Sequence, residues 1–105
     1  MDVNLASLFE SIAAEVPDRE CIVFRERRLS WAEVSARTNR LANLLAARGF
    51  GVRRERSALA GHESGQDHLA LYLYNGNEYL EGMLGAFKAR TAPVNVNYRY
   101  VEEEL

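Results

Sequence analysis

Four side chains able to bind a metal ion crowd one short stretch, "GHESGQDH": His62, Glu63, Asp67 and His68. Their order matches neither H-E-x-x-H, which sets two imidazoles on one helix face, nor a paired Cys/His zinc pattern, so the stretch reads as a solvated loop. Ser64 in the same stretch offers a hydroxyl nucleophile. It stands one place too late for G-x-S-x-G, and no strand leads into it to build a strained elbow. Arg25, Arg27 and Arg28 would make an anion patch, but Glu26 interrupts them and no aromatic interleaves, which describes a solvated hairpin tip. Gly76 and Gly82 in "YNGNEYLEG" fit neither G-x-G-x-x-G nor G-x-x-x-x-G-K-[ST], so the turn is an ordinary capped one rather than a phosphate cradle. Cys21, in "CIVF", reads as a buried structural thiol. No residue is therefore assigned to catalysis, to a cofactor or to a metal.

The elements that would position such residues are better marked. Leu5, Leu8, Phe9, Ile12, Ala13 and Val16 repeat at helical spacing between Asn4, a capping residue, and Pro17, a stop. "CIVFRERRLSW" gives a short apolar strand, a charged turn at Glu26 to Arg28 and a return toward Leu29. Ser30 and Glu33 make a capping box, with Leu29 and Val34 as its hydrophobic staple. The helix they open runs through Leu41, Ala42 and Leu45 to Arg48 and a Gly49 cap. Trp31 is assigned to the core. Residues 50–67 lack periodicity and form a loop.

"LALYLY", Leu69 to Tyr74, is a nearly continuous apolar run, the mark of a strand covered on both faces. Asn75 and Glu78 provide N-x-x-E for a helix whose apolar face is Tyr79, Leu80, Met83, Leu84 and Phe87. Gly82 and Gly85 inside that helix imply close packing against the sheet. "APVNVN" supplies the second strand, and strand, crossover helix and strand make a βαβ unit with parallel strands. The fold class is α/β: helix, hairpin, helix, then βαβ.

Composition excludes several functions. With 105 residues, 48% hydrophobic and 27% charged, the chain has the make-up of one modest globular domain rather than a disordered segment. A net charge of −2 provides no field for nucleic acid. Tyr72, Tyr74, Tyr79, Tyr98 and Tyr100 form no RNA-binding signature. No stretch approaches the apolar length of a membrane span, and the N-terminus lacks a signal-peptide pattern, so a cytoplasmic location is expected. Twelve of the 13 basic residues are arginine, with Lys88 the exception, a bias associated with GC-rich bacterial genomes.

In order and spacing, these pieces resemble the opening of the AMP-forming acyl-CoA synthetases, within the adenylate-forming superfamily. The resemblance runs from Ser11 onward and rests on "LSWAEV" at Leu29 to Val34, "NRLA" at Asn39 to Ala42, "GFGV" at Gly49 to Val52, "LAL" at Leu69 to Leu71, "NGNEY" at Asn75 to Tyr79 and "ARTAPVN" at Ala89 to Asn95. Relatives pass quickly from "G-V" to "G-D", so Arg53 to Ser64 reads as an insertion. The resemblance implies a two-step activity: ATP converts a carboxylate to an acyl-adenylate with loss of pyrophosphate, and coenzyme A then displaces AMP. It also implies that ATP, magnesium and coenzyme A are handled by motifs that follow the segment matched here. Lys88 matches none of them, and no catalytic residue carries over.

The expected identity is thus residues 1–105 as a partial AMP-binding N-terminal domain, catalytically silent alone, ending in "VEEEL" where a new helix begins. Its expected partner is the remainder of the synthetase domain or a second copy. The alternative is a stand-alone interaction or scaffold domain that kept this piece of the fold.

Overall fold

The computed structural model describes residues 4–100; the helix expected to begin in "VEEEL" lies outside them. Helix α1 spans Leu5–Glu15, and the Asn4 side chain accepts the Ser7 amide at 2.9 Å, as a capping residue must. Strands β1 (Glu20–Phe24) and β2 (Arg27–Ser30) form the antiparallel hairpin. Its turn is tighter than expected: Phe24 pairs with Arg27, leaving only Arg25 and Glu26 between the strands. Such a two-residue connection demands left-handed backbone, and Arg25 adopts it at φ 56° with its guanidinium 5.1 Å from the Phe24 ring centroid. Arg27 and Arg28 accordingly belong to β2 and not to the turn.

Helix α2 spans Trp31–Ala47 and opens on the complete capping box: the Glu33 amide donates to Ser30 Oγ at 3.1 Å and the Ser30 amide to Glu33 Oε1 at 3.3 Å. Its staple residues Leu29 and Val34 are both buried. Ser30→Ala is expected to cost about 1 kcal/mol, with Ser30→Asp close to neutral, read as faster amide exchange at the start of α2. The helix ends with Gly49 at φ 84°, and the Phe50 amide reaches back to the Leu45 carbonyl at 3.0 Å.

Phe9, Ile22, Leu29 and Val34 form the core, with Cys21, Trp31 and Leu84 packed against it. Trp31 stacks 5.2 Å from Phe9. Burial pushes the Cys21 thiol up, away from thiolate, which fits the structural assignment.

Beyond Gly49 the chain makes a pinched loop. Val52 bridges Gln66, the Arg54 amide donates to the Gly65 carbonyl at 3.0 Å, and a single turn of 3-10 helix, Arg56–Ala58, lies inside. The pinch is closed at Gly65, where a Cβ would sit 2.0 Å from the Arg54 carbonyl oxygen. Strand β3 (His68–Leu71), helix α3 (Asn77–Lys88) and strand β4 (Ala92–Asn95) then form the βαβ unit, and the strands are parallel.

Four expectations about this unit change. β3 ends at Leu71 instead of Tyr74, because the ladder with β4 ends there, and Tyr72 and Tyr74 are exposed. β4 likewise stops at Asn95, two residues before the end of "APVNVN". The N-cap of α3 is Gly76, not Asn75, and makes no side-chain hydrogen bond. Finally, the most buried positions of α3 are Asn77, Glu81, Gly82, Gly85 and Ala86, while Leu80 is half exposed. The helix packs with its small and polar side because its neighbours come too close for large residues. A Cβ on Gly82 would lie 2.8 Å from Leu71 Cδ2, as the sheet-packing expectation requires, whereas one on Gly85 would lie 2.5 Å from Leu41 Cδ2 on α2. Gly85 therefore serves helix–helix contact, not helix–sheet contact.

Candidate functional site

The four candidate metal ligands do not converge, and their carboxylates are already engaged. Glu63 accepts Arg54 Nη1 at 3.0 Å and the Ala60 amide at 2.7 Å. Asp67 Oδ2 accepts the Gly51 amide at 2.9 Å and its Oδ1 accepts Arg53 Nε at 3.2 Å, while Arg53 Nη2 is ion-paired 2.8 Å from Oδ2, fastening the neck of the loop. His62 is exposed, and His68 meets only Ser64, Nε2 to Oγ at 3.4 Å. That serine–histidine contact is long and solvent-exposed, and no strand leads into Ser64 as a nucleophile elbow would require.

The hydrogen bond from Arg53 and then that from Gly51 hold Asp67 below its usual value near 3.8. A carboxyl depressed by folding stabilises the closed neck above its unfolded value and loses that contribution as pH falls through its folded value. Protection of the Gly51 amide from exchange is therefore expected to stay constant from about pH 8 to 5 and to fall only below about pH 4, whereas Asp67→Asn removes the pH dependence.

Three arginines and a lysine are likewise committed. Arg28 forks onto Glu20 at 2.9 Å to both oxygens, and Arg27 lies 3.9 Å from Glu78. Arg90, with left-handed backbone at φ 60°, clasps Glu55 of the loop. Lys88 donates to Asn39 Oδ1 at 2.8 Å and lies 4.9 Å from the Phe9 ring centroid, tying α3 to α2 and α1. Burial lowers its affinity for a proton, with Glu10 opposing. This is a structural clip. Glu78 lies in the first turn of α3, where a carboxylate meets the positive end of the helix.

One constellation escaped the sequence reading. Arg37 on α2 forks onto Glu81 of α3, Nε to Oε1 and Nη2 to Oε2, the latter at 3.3 Å. Asn77 Nδ2 donates to Glu81 Oε2 at 2.8 Å, and Arg27 reaches Asn77 Oδ1 at 3.5 Å. Asn77 and Glu81 are buried. A polar i, i+4 pair on an otherwise apolar helix was the available signal. The hydrogen bond from Arg37 to Glu81 and the charge contact between them strengthen the proton hold of Arg37.

What the arrangement leaves open is a surface. On β3, Leu71 is buried against α3 while His68 and Ala70, on the opposite face, are exposed; on β4, Val94 is also exposed. Parallel strands are normally covered on both faces, so the second face of this sheet is uncovered by the described residues. On the Leu69 and Leu71 side of β3, a groove of about 490 Å³ is lined by leucines 41, 69, 71 and 73 together with Arg37, Arg40, Glu78 and Glu81.

Residues 9–105 match the family model described as AMP-binding enzyme. The chain belongs to that family. It is 56% identical over 102 residues to the medium-chain acyl-CoA ligase Mig of Mycobacterium avium, covering 97% of this chain and 18% of that protein. It is 36% identical over 105 residues to the 3-oxocholest-4-en-26-oate–CoA ligase of Rhodococcus rhodochrous, covering all of this chain and 17% of that one. The chain thus spans less than a fifth of these relatives. Among solved structures, NpsA of Klebsiella oxytoca in complex with 3-hydroxyanthranilyl-AMSN superimposes with a TM-score of 0.80 at 20% identity, over 98% of this chain and 18% of that one. The NpsA N-terminal subdomain gives 0.76 at 21% identity, over 94% and 23%. The fold is that of the N-terminal subdomain of adenylation enzymes. No helix among the described residues is long and apolar enough to cross a membrane.

Proposed function

We propose that this chain is the opening segment of the large domain of an ATP-dependent, AMP-forming acyl-CoA ligase, with a medium-chain carboxylate as the substrate class and the cytoplasm as its location. The observation that carries this reading is the 56% identity to a medium-chain acyl-CoA ligase along nearly the whole segment. In the complete enzyme, ATP would activate the carboxylate as an acyl-adenylate, and coenzyme A would displace AMP as the thioester forms.

This segment contributes scaffold to that chemistry. Arg37 and Glu81 hold α2 to α3, Arg53 and Asp67 close the loop neck, and Lys88 ties α3 to α2 and α1. ATP, magnesium and coenzyme A are assigned to the remainder of the polypeptide, and the segment alone is silent. Arg53 to Ser64 is an insertion closed off at Val52 and Gln66, which explains how the fold accommodates it.

The test is carboxylate-dependent pyrophosphate release by the full-length protein across a chain-length series. Release peaking at medium chain length, with none from residues 1–105, supports the proposal. A full-length protein that releases no pyrophosphate with any carboxylate contradicts it.

A further inference from the structure

Charge is unevenly spread along the chain. Residues 34–54 carry five arginines and no carboxylate, although the whole chain has a net charge of −2. The stretch covers most of α2 and the start of the loop after it. Arg37 is spent on Glu81, Arg53 on Asp67 and Arg54 on Glu63. The carboxylates of neighbouring elements are engaged in the same way: Glu55 lies on Arg90, Glu78 near Arg27, and Glu33 in the capping box at the far end of α2. Arg40 and Arg48 are exposed, and their side chains make no ion pair or hydrogen bond among the described residues.

Between these two lies apolar surface. Arg40, Leu44 and Arg48 repeat every four residues and so share one face of the helix, a different face from the one that buries Val34, Thr38 and Leu45. Leu44 is half exposed. The Gly49 amide donates to the Ala46 carbonyl and the Phe50 amide to the Leu45 carbonyl, both at 3.0 Å, which folds half-exposed Phe50 back to the last turn, where Leu44 lies. Arg53 joins them, since its Nη2 donates to the Gly49 carbonyl at 2.6 Å. Isolated exposed leucines are ordinary; a leucine and a phenylalanine exposed at one helix end and flanked by arginines are not. The other exposed leucine pair, Leu5 and Leu8, sits on α1 with Glu10 and Glu15 and no basic residue.

Shape selects the occupant. Leu44, Arg48 and Phe50 line none of the three main grooves among the described residues. They stand on a convex helix end, whereas the anchors of a protein interface centre on pockets. A lipid interface needs no pocket: apolar side chains enter between headgroups while arginines meet phosphate.

We propose that this end of α2 rests on an anionic lipid bilayer, with Leu44 and Phe50 entering the interface and Arg40 and Arg48 meeting lipid phosphate. Arg53 adds to the attracting field. The proposal stands on this surface and not on the ligase reading; taken with that reading, it brings the enzyme to the phase where amphiphilic carboxylates partition.

Co-sedimentation of the full-length protein with vesicles of phosphatidylglycerol and phosphatidylcholine tests this. Binding is expected to weaken as salt rises from about 0.1 M to about 1 M and the screening length contracts from about 10 Å to about 3 Å. Arg40→Gln and Arg48→Gln should each lower the partition coefficient about fivefold. Leu44→Ser with Phe50→Ser should lower it by about tenfold, whereas Phe50→Trp keeps it. Should the serine variant fail to fold, the arginine pair decides. A wild-type protein that ignores the vesicles, or binds pure phosphatidylcholine equally well, overturns the proposal. So does unchanged binding by the double arginine variant, which would place the lipid contact elsewhere. Competition by soluble glycerol phosphate at constant ionic strength marks a simple anion site and overturns it too. Vesicle binding by a protein that releases no pyrophosphate upholds the surface and removes the ligase reading, while release without vesicle binding does the reverse.

Discussion

Arg37→Met is expected to destabilise the α2–α3 pair by about 3 kcal/mol. The substitution keeps the aliphatic stem but strands the Glu81 carboxylate, which has 7% exposure and then retains only Asn77 as a partner. Breaking a buried pair by removing one member is costly because the surviving charge is neither hydrated nor compensated. Arg37 is itself about one-third exposed, which places the loss toward the lower end of the range for such pairs. Adding Glu81→Gln removes the stranded charge while leaving an amide for Asn77, so the double variant should recover most of the loss. Local stability read from amide exchange over residues 31–47 and 77–88 checks both. A single variant within about 0.5 kcal/mol of wild type would mean that water compensates Glu81 and that the clasp is unimportant.

Gly85→Val should be comparably damaging, at about 3 kcal/mol, because its Cβ falls among Leu41 Cδ2, Cγ and Cβ at 2.5, 2.9 and 3.1 Å. The close contact includes atoms near the Leu41 backbone, so a rotamer change cannot clear it. Gly85→Ala gains about 1 kcal/mol of helix propensity and loses more to the same overlap, for a smaller net loss. Leu41→Ala distinguishes this explanation from a simple intolerance of side chains. It should destabilise the wild type by opening a void, yet partly rescue Gly85→Val by vacating the space the new side chain needs. Additive effects in the double variant would show that Gly85 is small for some other reason.

Both predictions concern contacts between elements far apart in the chain, and this is where sequence reading was weakest. The local devices were legible because each is written within a few residues: Asn4 and the Ser30/Glu33 box for the helix starts, Gly49 for the α2 stop, and the βαβ order for parallel pairing. The hairpin was legible as a hairpin, but its turn shifted because a left-handed arginine closes it where turn chemistry favours Asn or Gly. The α3 face was misread because helical spacing ranks positions by hydrophobicity, while the spacing of α2 and β3 ranks them by size. Glycines at 82 and 85 hinted at this, and the Asn77–Glu81 pair completed it.

The continuous apolar run Leu69 to Tyr74 was read as a strand covered twice. Among the described residues only one face of β3 is covered, and the run loses strand geometry after Leu71. Hydrophobic sequence and exposed surface agree if the second cover comes from elsewhere. The stretch with histidines, carboxylates and a serine folds on itself at the loop neck, where Glu63 accepts Arg54 and Asp67 accepts Arg53.

The intact mass of the native protein in its source cells, captured through the peptide "LANLLAAR", tests most directly whether this chain opens a ligase. A mass several times 11.9 kDa, from one polypeptide that begins with this segment and continues into the adenylate-forming motifs, is expected. A native mass of 11.9 kDa would contradict the account and make the uncovered sheet face the property of a stand-alone binding domain.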